Sequence, residues 1–360
     1  MSRVLIASIA TDSLITKHNL SQAGINFCKN FYSVGCFDKI VSPAFLSVKS
    51  NIGDEVQKEF SYVKYIENII HPRNYILKII NLIIINILVA FKSISFDQIW
   101  YYNLHSANAI SYIILKFIFR KKVFILVADR STPKGKLSIS YVIQVLINKS
   151  NGVISLSSRT NLKLNNIKYL PGIINCNSID TNINDELFEK RKYLFSGTIC
   201  KETGIYLAID AFIKLPTEHL YISGSYKDDN ILRLIEKYNN IHYLGYLSFD
   251  NYNDMLKSVF CCLSLRDPSV PENINNFPSK ILEYINMNKL VISTIYYPEL
   301  RDLKYILSDF NSGNLVNIIT NIKENQIFYI NNYLMQSNKL REYFSNESWF
   351  DSIVQIENNM

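Results

Sequence analysis

A segment in the second half of the chain combines residue types that could bind a nucleotide diphosphate. Pro278 and Ser279 suit the first positions of a helix, where free backbone N–H groups attract negative charge. Lys280 adds a cation. Glu283 lies about one helical turn past Ser279, where its carboxylate could accept hydrogen bonds from ribose hydroxyls. The segment therefore predicts a diphosphate and ribose site. A plain N-cap serine and a solvated helix carboxylate are the alternatives.

Several other kinds of chemistry lack their signatures in this sequence. The chain contains no P-loop, no G-x-G-x-x-G turn, no H-E-x-x-H metal motif and no G-x-S-x-G nucleophile turn. It also lacks a D-x-D pair, which would be suited to a metal–diphosphate complex. A bound nucleotide diphosphate is therefore expected to meet basic side chains and helix N-termini, with neither a metal ion nor a resident cofactor.

The six cysteines have no regular spacing and include no C-x-x-C pair, so neither a disulfide framework nor a structural zinc site is expected. The first ten residues contain one Arg and a short apolar run without the layout of a signal peptide. A reducing cytoplasm is the expected location.

The charge of the chain is divided unevenly between its halves. Residues 1–180 contain 21 Lys and Arg against 9 Asp and Glu (+12), and residues 181–360 contain 17 against 22 (−5), which together give +7. A basic half favours an anionic membrane, a nucleic acid or a phosphorylated substrate as its partner. Two solvated surfaces of opposite sign are the alternative.

One strongly apolar segment, residues 76–91, must be tested as a membrane span. It is shorter than the ~20 residues that a spanning helix needs, and Lys78, Asn81 and Asn86 interrupt it. We expect a buried helix. Because Arg73 and Lys92 flank the segment, an interfacial helix stays open as the alternative.

Short apolar runs alternate with helical stretches along most of the chain. Continuous apolar strands separated by helices are typical of a parallel sheet covered on both faces. Two alternating halves of similar size predict an α/β protein with two Rossmann-like domains facing each other across a cleft. The expected boundaries are 1–172, a linker over 173–192, a second domain over 193–340 and a final segment over 341–360, with helices over 19–32, 106–119 and 340–356 among the elements.

These elements resemble, in order and residue type, the family-4 glycosyltransferases with a GT-B fold. The segment FPSKILEYINMNKLVIST (277–294) resembles the donor-binding segment of that family. FSGT (195–198), ETGI (202–205) and the strands at 220–224 and 241–247 are similar to the start of its C-terminal domain. In the first half, residues 100–103, 126–129 and 152–157 fall in the family's order. The likeness covers about residues 95–300 well and the remainder loosely.

The resemblance implies a retaining, metal-independent transferase that uses a nucleotide-activated sugar. It implies that the first domain binds the acceptor and the second binds the nucleotide sugar. It also implies that the final helix crosses back to the first domain. Glu283 matches the second Glu of the family's E-x7-E motif, which holds the ribose, whereas the first Glu is replaced by Asn275. The amide of Asn275 can still exchange hydrogen bonds with sugar hydroxyls.

The resemblance also implies the remaining donor-binding residues. The family's phosphate-binding Arg and Lys fall near Thr198 and Thr203, neither of which is basic, and Lys201 lies between them as the substitute. Arg266 and Lys280 are further cations for the diphosphate. The full donor set is Gly197, Thr198, Lys201, Gly224, Tyr246, Arg266, Asn275, Pro278, Ser279, Lys280 and Glu283.

The first half must supply the acceptor side. His105 and Asp129 each follow a strand, and Asp129 matches an acidic position of the family, so we name them with Lys201 as catalytic candidates. An ordinary loop histidine is the alternative for His105. The first strand–helix connection and a basic loop supply the acceptor-binding candidates, which are His18, Asn19, Gln22, Arg130 and Lys134.

The function implied is transfer of a sugar to a lipid-linked saccharide in surface polysaccharide synthesis, at the inner face of the cytoplasmic membrane and without nucleic acid. Positive charge builds on the sugar ring as the sugar–phosphate bond breaks, and the cations stabilise the departing diphosphate. The acceptor hydroxyl attacks from the leaving-group face and needs no protein nucleophile. A GT-B epimerase or hydrolase and a non-catalytic GT-B partner subunit are the alternatives.

Overall fold

The computed structural model describes residues 1–18, 20, 22–45, 52–70, 74–130, 133, 135–160, 162–174, 191–226 and 230–359. The chain divides into two units, one of Met1–Ile173 with Asn346–Met360 and one of Ile174–Ser345, called unit 1 and unit 2 here. Most of the linker predicted over 173–192 lies outside the described residues.

The sheet of unit 1 has seven parallel strands in the order β3-β2-β1-β4-β5-β6-β7. These strands are β1 Arg3–Ile6, β2 Lys39–Pro43, β3 Val63–Ile66, β4 Gln98–Tyr102, β5 Lys122–Val127, β6 Gly152–Ser155 and β7 Ile167–Tyr169. The helices are α1 Asp12–His18, α2 Gln22–Ser33, α3 Gly53–Glu59, α4 Tyr75–Ser93, α5 Ala109–Ile113, which continues as a π-helical turn over Ile114–Ile118, and α6 Ile139–Asn148.

The sheet of unit 2 has six parallel strands in the order β10-β9-β8-β11-β12-β13. These strands are β8 Lys192–Ser196, β9 His219–Ser223, β10 Ile241–Tyr243, β11 Cys261–Ser264, β12 Leu290–Ser293 and β13 Ile306–Leu307. The helices are α7 Ile205–Ile213, α8 Asn230–Ile235, α9 Phe249–Ser258, α10 Pro271–Asn275, α11 Lys280–Asn286, α12 Ser312–Glu324, α13 Gln326–Tyr333 and α14 Ser337–Phe344, and the C-terminal helix Asn346–Asn358 follows in unit 1.

The central strands are apolar along their length because helices cover both faces of each sheet. In β5 every residue from Val123 to Val127 is buried, and in β12 all four residues are buried. A parallel sheet with both faces covered requires such runs, whereas a half-exposed strand would alternate. The alternation of strands and helices can be predicted from the sequence because such apolar runs mark the strands.

Three expectations differ from the structure. The first connection contains a helix of its own, Asp12–His18, so the helix predicted over 19–32 begins at Gln22. The single final helix predicted over 340–356 is two helices, because Ser345 adopts an extended conformation between them. The segment 106–119 begins as an α-helix only at Ala109 and changes to π-helical hydrogen bonding at Ile114.

The apolar helix α4 is only partly buried, so the expectation of a buried helix is wrong for one of its sides. It is the one described helix that is long and apolar enough to cross a membrane, but only 33% of its most apolar part is buried. Asn81, Asn86 and Val89 lie on the buried side, whereas Ile79, Ile83 and other aliphatic residues are exposed.

Five residues of the C-terminal helix Asn346–Asn358 are buried within unit 1, and the side chains of two of them, Trp349 and Glu357, form hydrogen bonds with other parts of the unit. The Trp349 ring lies against Phe27 and Phe31, and its Nε1 donates to the Gly172 carbonyl at 2.7 Å. The Glu357 carboxylate accepts hydrogen bonds from Arg3 at 2.7–3.0 Å and from the Trp100 Nε1 at 2.9 Å.

Replacing Glu357 by Gln should therefore destabilise unit 1 by about 2–4 kcal/mol, because the largely buried Arg3 guanidinium loses its counter-charge. Both tryptophans, Trp100 and Trp349, lie in unit 1, so urea unfolding followed by tryptophan fluorescence reports on this unit. Glu347→Gln, an exposed change on the same helix, is the control. Equal unfolding midpoints for the two variants would contradict the assignment.

Candidate functional site

The order of strands reverses between β8 and β11 in unit 2. Strands β9 and β10 continue on one side of β8, and β11 to β13 continue on the other. Ligands of open α/β sheets bind beyond the carboxyl ends of strands at such a reversal, because the connections on either side leave in opposite directions. The loop after Ser196 and the loop after Ser264 begin here, and the donor residues predicted from the sequence lie on or near these loops.

Glycine is required where the ends of β8 and β9 approach each other. Gly224 has φ +140°, and a Cβ placed on it would overlap the Gly197 carbonyl oxygen. The Gly197 N–H donates to Ser223 O and the Gly224 N–H donates to Gly245 O, both at 2.9 Å. Gly224 therefore allows the two strand ends to approach each other, the space beside Gly197 is open, and the N–H groups of both glycines donate to neighbouring backbone carbonyls.

The loop after Gly197 is held by the Thr203 hydroxyl. This oxygen lies 2.8 Å from Thr198 O and 2.9 Å from Cys200 O. The chain then enters α7 through Gly204, whose φ of +80° and contact with the Leu265 backbone leave no room for a Cβ. Thr203 thus fixes the loop through its side chain, and Thr198 takes part through its carbonyl oxygen.

Lys201 is exposed on the same loop. Its charge acts on Asp267, whose pKa is lowered mainly by hydrogen bonds from Ser269 and to a smaller extent by Lys201. The loops after β8 and β11 are joined directly: Asn273 Nδ2 donates to Glu202 O at 2.8 Å, and Asp267 N–H donates to the same oxygen at 3.0 Å.

The centre of the site is a polar cluster formed by Lys280, Glu283, Tyr252 and Ser196. The Lys280 Nζ donates to the Ser196 Oγ at 2.6 Å and lies 5.0 Å from the centre of the Tyr252 ring. The Tyr252 hydroxyl donates to the Glu283 Oε2 at 3.0 Å. Helix α11 thus presents a cation and a carboxylate one turn apart, half-buried, at the end of β8.

Burial shifts the ionisation of every member that titrates in this cluster. It lowers the pKa of Lys280, which Glu283 partly restores and the neighbouring Arg266 charge lowers further. It raises the pKa of Glu283, against the opposing effects of Lys280 and of the Tyr252 hydrogen bond. Burial also holds the pKa of Tyr252 well above its ordinary value, so the hydroxyl stays protonated as a donor.

Two further cation and amide candidates flank the cluster. Arg266 is half-buried, and its backbone is fixed by Thr294, whose Oγ1 accepts from the Arg266 N–H at 2.8 Å and donates to the Arg266 carbonyl at 2.6 Å. Asn275 is half-buried as the last residue of α10. Tyr246 is exposed shortly after β10.

The start of α11 differs from a plain capped helix. Ser279 directly precedes the first residue of α11, and its own backbone is already helical. Its side chain is exposed and makes no capping hydrogen bond. Pro278 is buried. The alternative interpretation of Ser279 as an ordinary N-cap is therefore wrong.

In unit 1, Asn103 brings His105 and Asp129 to one place. Asn103 is buried with φ +54°, and its Oδ1 accepts from the backbone N–H groups of Ala128 at 2.7 Å and Asp129 at 3.2 Å. Asn108 completes the arrangement by accepting from the His105 N–H and donating to the Asn103 carbonyl. The ends of β4 and β5 are thereby joined.

His105 and Asp129 interact electrostatically at the ends of these strands. Desolvation by the surrounding protein lowers the pKa of His105, and the Asp129 carboxylate offsets this in part. The imidazole is therefore neutral at physiological pH and able to accept a proton or a hydrogen bond.

The remaining acceptor candidates are dispersed. His18 is the last residue of α1, and Gln22 opens α2. Arg130 follows Asp129 and is half-buried, which lowers the pKa of its guanidinium. Asn19 and Lys134 lie outside the described residues.

Sequence reasoning missed the residues that hold the candidates in place. Tyr252, Ser196, Thr294 and Asn273 act across the loops of unit 2, and Asn103 acts across two strand ends. Among the described residues no group of His, Cys, Asp or Glu is arranged to hold a metal ion.

No protein-family model matches the chain, and no curated protein sequence matches it. Solved structures do. HepE from Anabaena, determined with UDP and glucose, has a TM-score of 0.75 at 14% identity over 100% of both chains. Sucrose-phosphate synthase from Thermosynechococcus elongatus has a TM-score of 0.73 at 11% identity, with 99% of this chain and 98% of that chain covered.

A third similar structure is the UDP-GlcNAc 2-epimerase of Neisseria meningitidis bound to UDP-GlcNAc, with a TM-score of 0.60 at 12% identity over 99% of both chains. At these identities the likeness shows the fold. The predicted fold class, an α/β protein of GT-B type with two Rossmann-like units, is thus confirmed.

Replacing Asn103 by Ala should destabilise unit 1 by about 2–3 kcal/mol, because two backbone N–H groups lose their acceptor and Ala is strained at positive φ. Asn103→Asp keeps the acceptor and should stay near the parent protein. Urea unfolding followed by tryptophan fluorescence measures both. If Asn103→Ala is as stable as Asn103→Asp within error, Asn103 does not hold the backbone of Ala128 and Asp129 as described.

The Lys280–Glu283 pair should show coupling in thermal unfolding. Lys280→Met alone leaves the Glu283 carboxylate half-buried without its cation, so its melting temperature should fall, and adding Glu283→Gln should restore most of the loss. Calorimetry of the four proteins measures the coupling. Strictly additive changes would contradict a direct interaction.

The same pair predicts a pH dependence. Because the pKa of Glu283 is raised above its ordinary value of 4.5, its contribution to stability is complete below that value and is lost as the pH rises through the pKa of the folded state. The melting temperature of the parent minus that of Glu283→Gln should therefore decrease from acidic to neutral pH. A difference that is flat or increasing would contradict the shift.

Proposed function

We propose that this protein is a glycosyltransferase that transfers a sugar from a nucleotide-diphosphate donor to a saccharide acceptor. The observation that carries the proposal is the half-buried cluster of Lys280 and Glu283 at the strand-order reversal of unit 2. A cation beside a carboxylate, one helical turn apart, matches a diphosphate joined to a ribose. The likeness to HepE, which was determined with UDP and glucose, supports a UDP-sugar as the first donor to test.

In the proposed reaction the protein stabilises the charge that develops on the leaving group. The bond between the anomeric carbon and the phosphate oxygen breaks, and negative charge accumulates on the departing nucleotide diphosphate. Lys280, Lys201 and Arg266 supply positive charge for it, and Lys280 acts in a desolvated setting where its charge is screened little. Glu283 holds the ribose hydroxyls, and Asn275 contacts the sugar.

We assign the reaction as retaining and independent of a metal ion or other cofactor. The acceptor hydroxyl attacks from the face that the diphosphate leaves and gives its proton to a phosphate oxygen. The three cations perform the electrostatic task that a divalent ion would otherwise have. Family-4 membership of the chain belongs to this proposal, on the strength of the donor segment 277–294.

The acceptor is assigned to unit 1. The neutral imidazole of His105 beside Asp129 suits contact with a saccharide hydroxyl, and Arg130 adds a cation next to them. Together with the net charge of +12 over residues 1–180, this favours a lipid-linked, phosphate-bearing saccharide of surface polysaccharide synthesis. The protein would then work as a peripheral protein at the inner face of the cytoplasmic membrane.

Calorimetric titration with a panel of nucleoside diphosphates tests the donor site. UDP or another member should bind the parent protein with and without a chelator. Lys280→Ala, Glu283→Ala and Lys201→Ala should each weaken binding by about tenfold or more, because a charge-assisted hydrogen bond is lost. Lys237→Ala and Glu236→Ala, both exposed in unit 2, are the matched controls and should bind like the parent.

Other outcomes would overturn the proposal in distinct ways. Binding of no nucleoside diphosphate would favour a non-catalytic partner subunit. Release of an epimer or of free sugar from the donor without an acceptor would favour an epimerase, to which the fold is also similar, or a hydrolase. Loss of binding on chelation would contradict metal independence.

A further inference from the structure

A layer of three helices covers one face of the unit 1 sheet. Their inner sides belong to a single core: Val89 of α4, Leu115 of the π-helical turn and Ile147 of α6 pack with Ile125 of β5. The Tyr112 hydroxyl of α5 donates to the Leu146 carbonyl of α6 at 2.7 Å. The Phe91 and Phe119 rings join α4 to the end of the π-helical turn. The opposite sides of these helices therefore lie together on the outer side of one layer.

The outer side of α4 is apolar. Surface helices of soluble proteins carry polar residues on this side. Here a stripe at helical spacing is exposed and contains Ile76, Ile79, Ile80, Ile83, Ile87 and Phe91. Only Lys78 and Lys92, near the two ends, carry charge in the helix.

The other two elements extend this surface. Ile113, Phe117 and Ile118 are exposed on the segment that includes the π-helical turn, and Leu137, Ile139, Val142 and Val145 are exposed at and along α6. Ile76, Ile118 and Ile139, one from each element, are 67%, 65% and 68% exposed. We call these exposed side chains of the three elements the apolar face. A contiguous apolar surface of this kind marks an interaction site.

The stretch of chain that contains these elements, together with the strands and loops between them, is strongly basic. Residues 75–149 contain only two acidic residues, Asp97 and Asp129. They contain ten basic ones, which are Lys78, Lys92, Lys116, Arg120, Lys121, Lys122, Arg130, Lys134, Lys136 and Lys149. Long basic side chains beside an apolar surface suit a bilayer with anionic headgroups, because the aliphatic stems stay with the apolar side chains and the charged ends reach the phosphates.

Helix α4 is suited to lie in the plane of such a membrane. Its inner polar residues are committed to unit 1: Asn81 accepts from the backbone N–H groups of Ile69 and Ile70, and Asn86 accepts from the Ser111 N–H and donates to the Ala107 carbonyl. A spanning orientation would break these contacts and expose the sheet core that Val89 covers.

We propose that the apolar face of α4, the π-helical turn and α6 docks unit 1 onto an anionic lipid bilayer. The outer aliphatic and aromatic side chains enter the interface to a shallow depth, and the surrounding lysines and arginines contact lipid phosphates. This docking deepens the peripheral membrane location that belongs to the proposed function. Its test needs neither donor nor acceptor, so its failure is distinguishable from a failure of sugar transfer.

Flotation of the full chain with vesicles tests the docking. The protein should bind vesicles of phosphatidylglycerol and phosphatidylcholine in equal parts, and binding should weaken on phosphatidylcholine alone and at high salt. The triple variant Ile76→Ser, Phe117→Ser, Ile139→Ser should bind these vesicles at least about tenfold more weakly than the parent. Its matched control is Tyr296→Ser, Ile327→Ser, Phe328→Ser, which removes exposed apolar side chains of unit 2 and should bind like the parent.

A charge variant separates the two contributions. A triple variant should bind the anionic vesicles at least about tenfold more weakly than the parent when it carries Lys78→Glu, Lys122→Glu and Lys149→Glu. A control variant should bind them like the parent when it carries Lys58→Glu, Lys237→Glu and Lys257→Glu. Tryptophan fluorescence on urea unfolding checks that each unit 1 variant is folded. Equal binding by the triple serine variant and its control would overturn the proposal. So would a parent that ignores vesicles and forms a dimer that the serine variant dissolves.

Discussion

The cost of holding Lys280 and Glu283 out of water is the constraint on which the candidate site depends. Burial opposes the charged form of both side chains, and the protein offsets it with their mutual attraction, the Ser196 hydroxyl and the Tyr252 hydroxyl. Such a pair adds little to folding. In the proposed function it supplies a fixed, weakly screened charge for the diphosphate.

The two units solve a similar problem by similar means. In unit 2, Asn273 and Thr294 bind backbone groups of neighbouring loops, and in unit 1, Asn103 binds the backbone that follows β5. In each case one short polar side chain satisfies backbone donors or acceptors at strand ends, where the sheet can no longer do so. The backbone of two candidate site residues, Arg266 and Asp129, is thereby held in place.

The sequence was sufficient for the architecture because its strands are buried on both faces. Runs such as 123–127 and 290–292 are apolar at every position, which makes them recognisable without their neighbours. The connections were harder to predict. The helix Asp12–His18 is short, and nothing local indicates that Tyr252 would reach Glu283 across 31 positions. The outer side of α4 is rich in isoleucine, so the sequence predicts it as core, and only the packed structure shows that the side with Asn81 and Asn86 is the buried one.

In the proposed function, unit 2 binds a pyrophosphate through side chains and without a divalent ion. A crystal structure of the full chain grown with UDP in the presence of a chelator tests it most directly. We expect the diphosphate to lie within hydrogen-bonding distance of the Lys280 Nζ. We expect the ribose hydroxyls to donate hydrogen bonds to the Glu283 carboxylate. A diphosphate bound away from both residues, or bound only when a metal ion is restored, would contradict it.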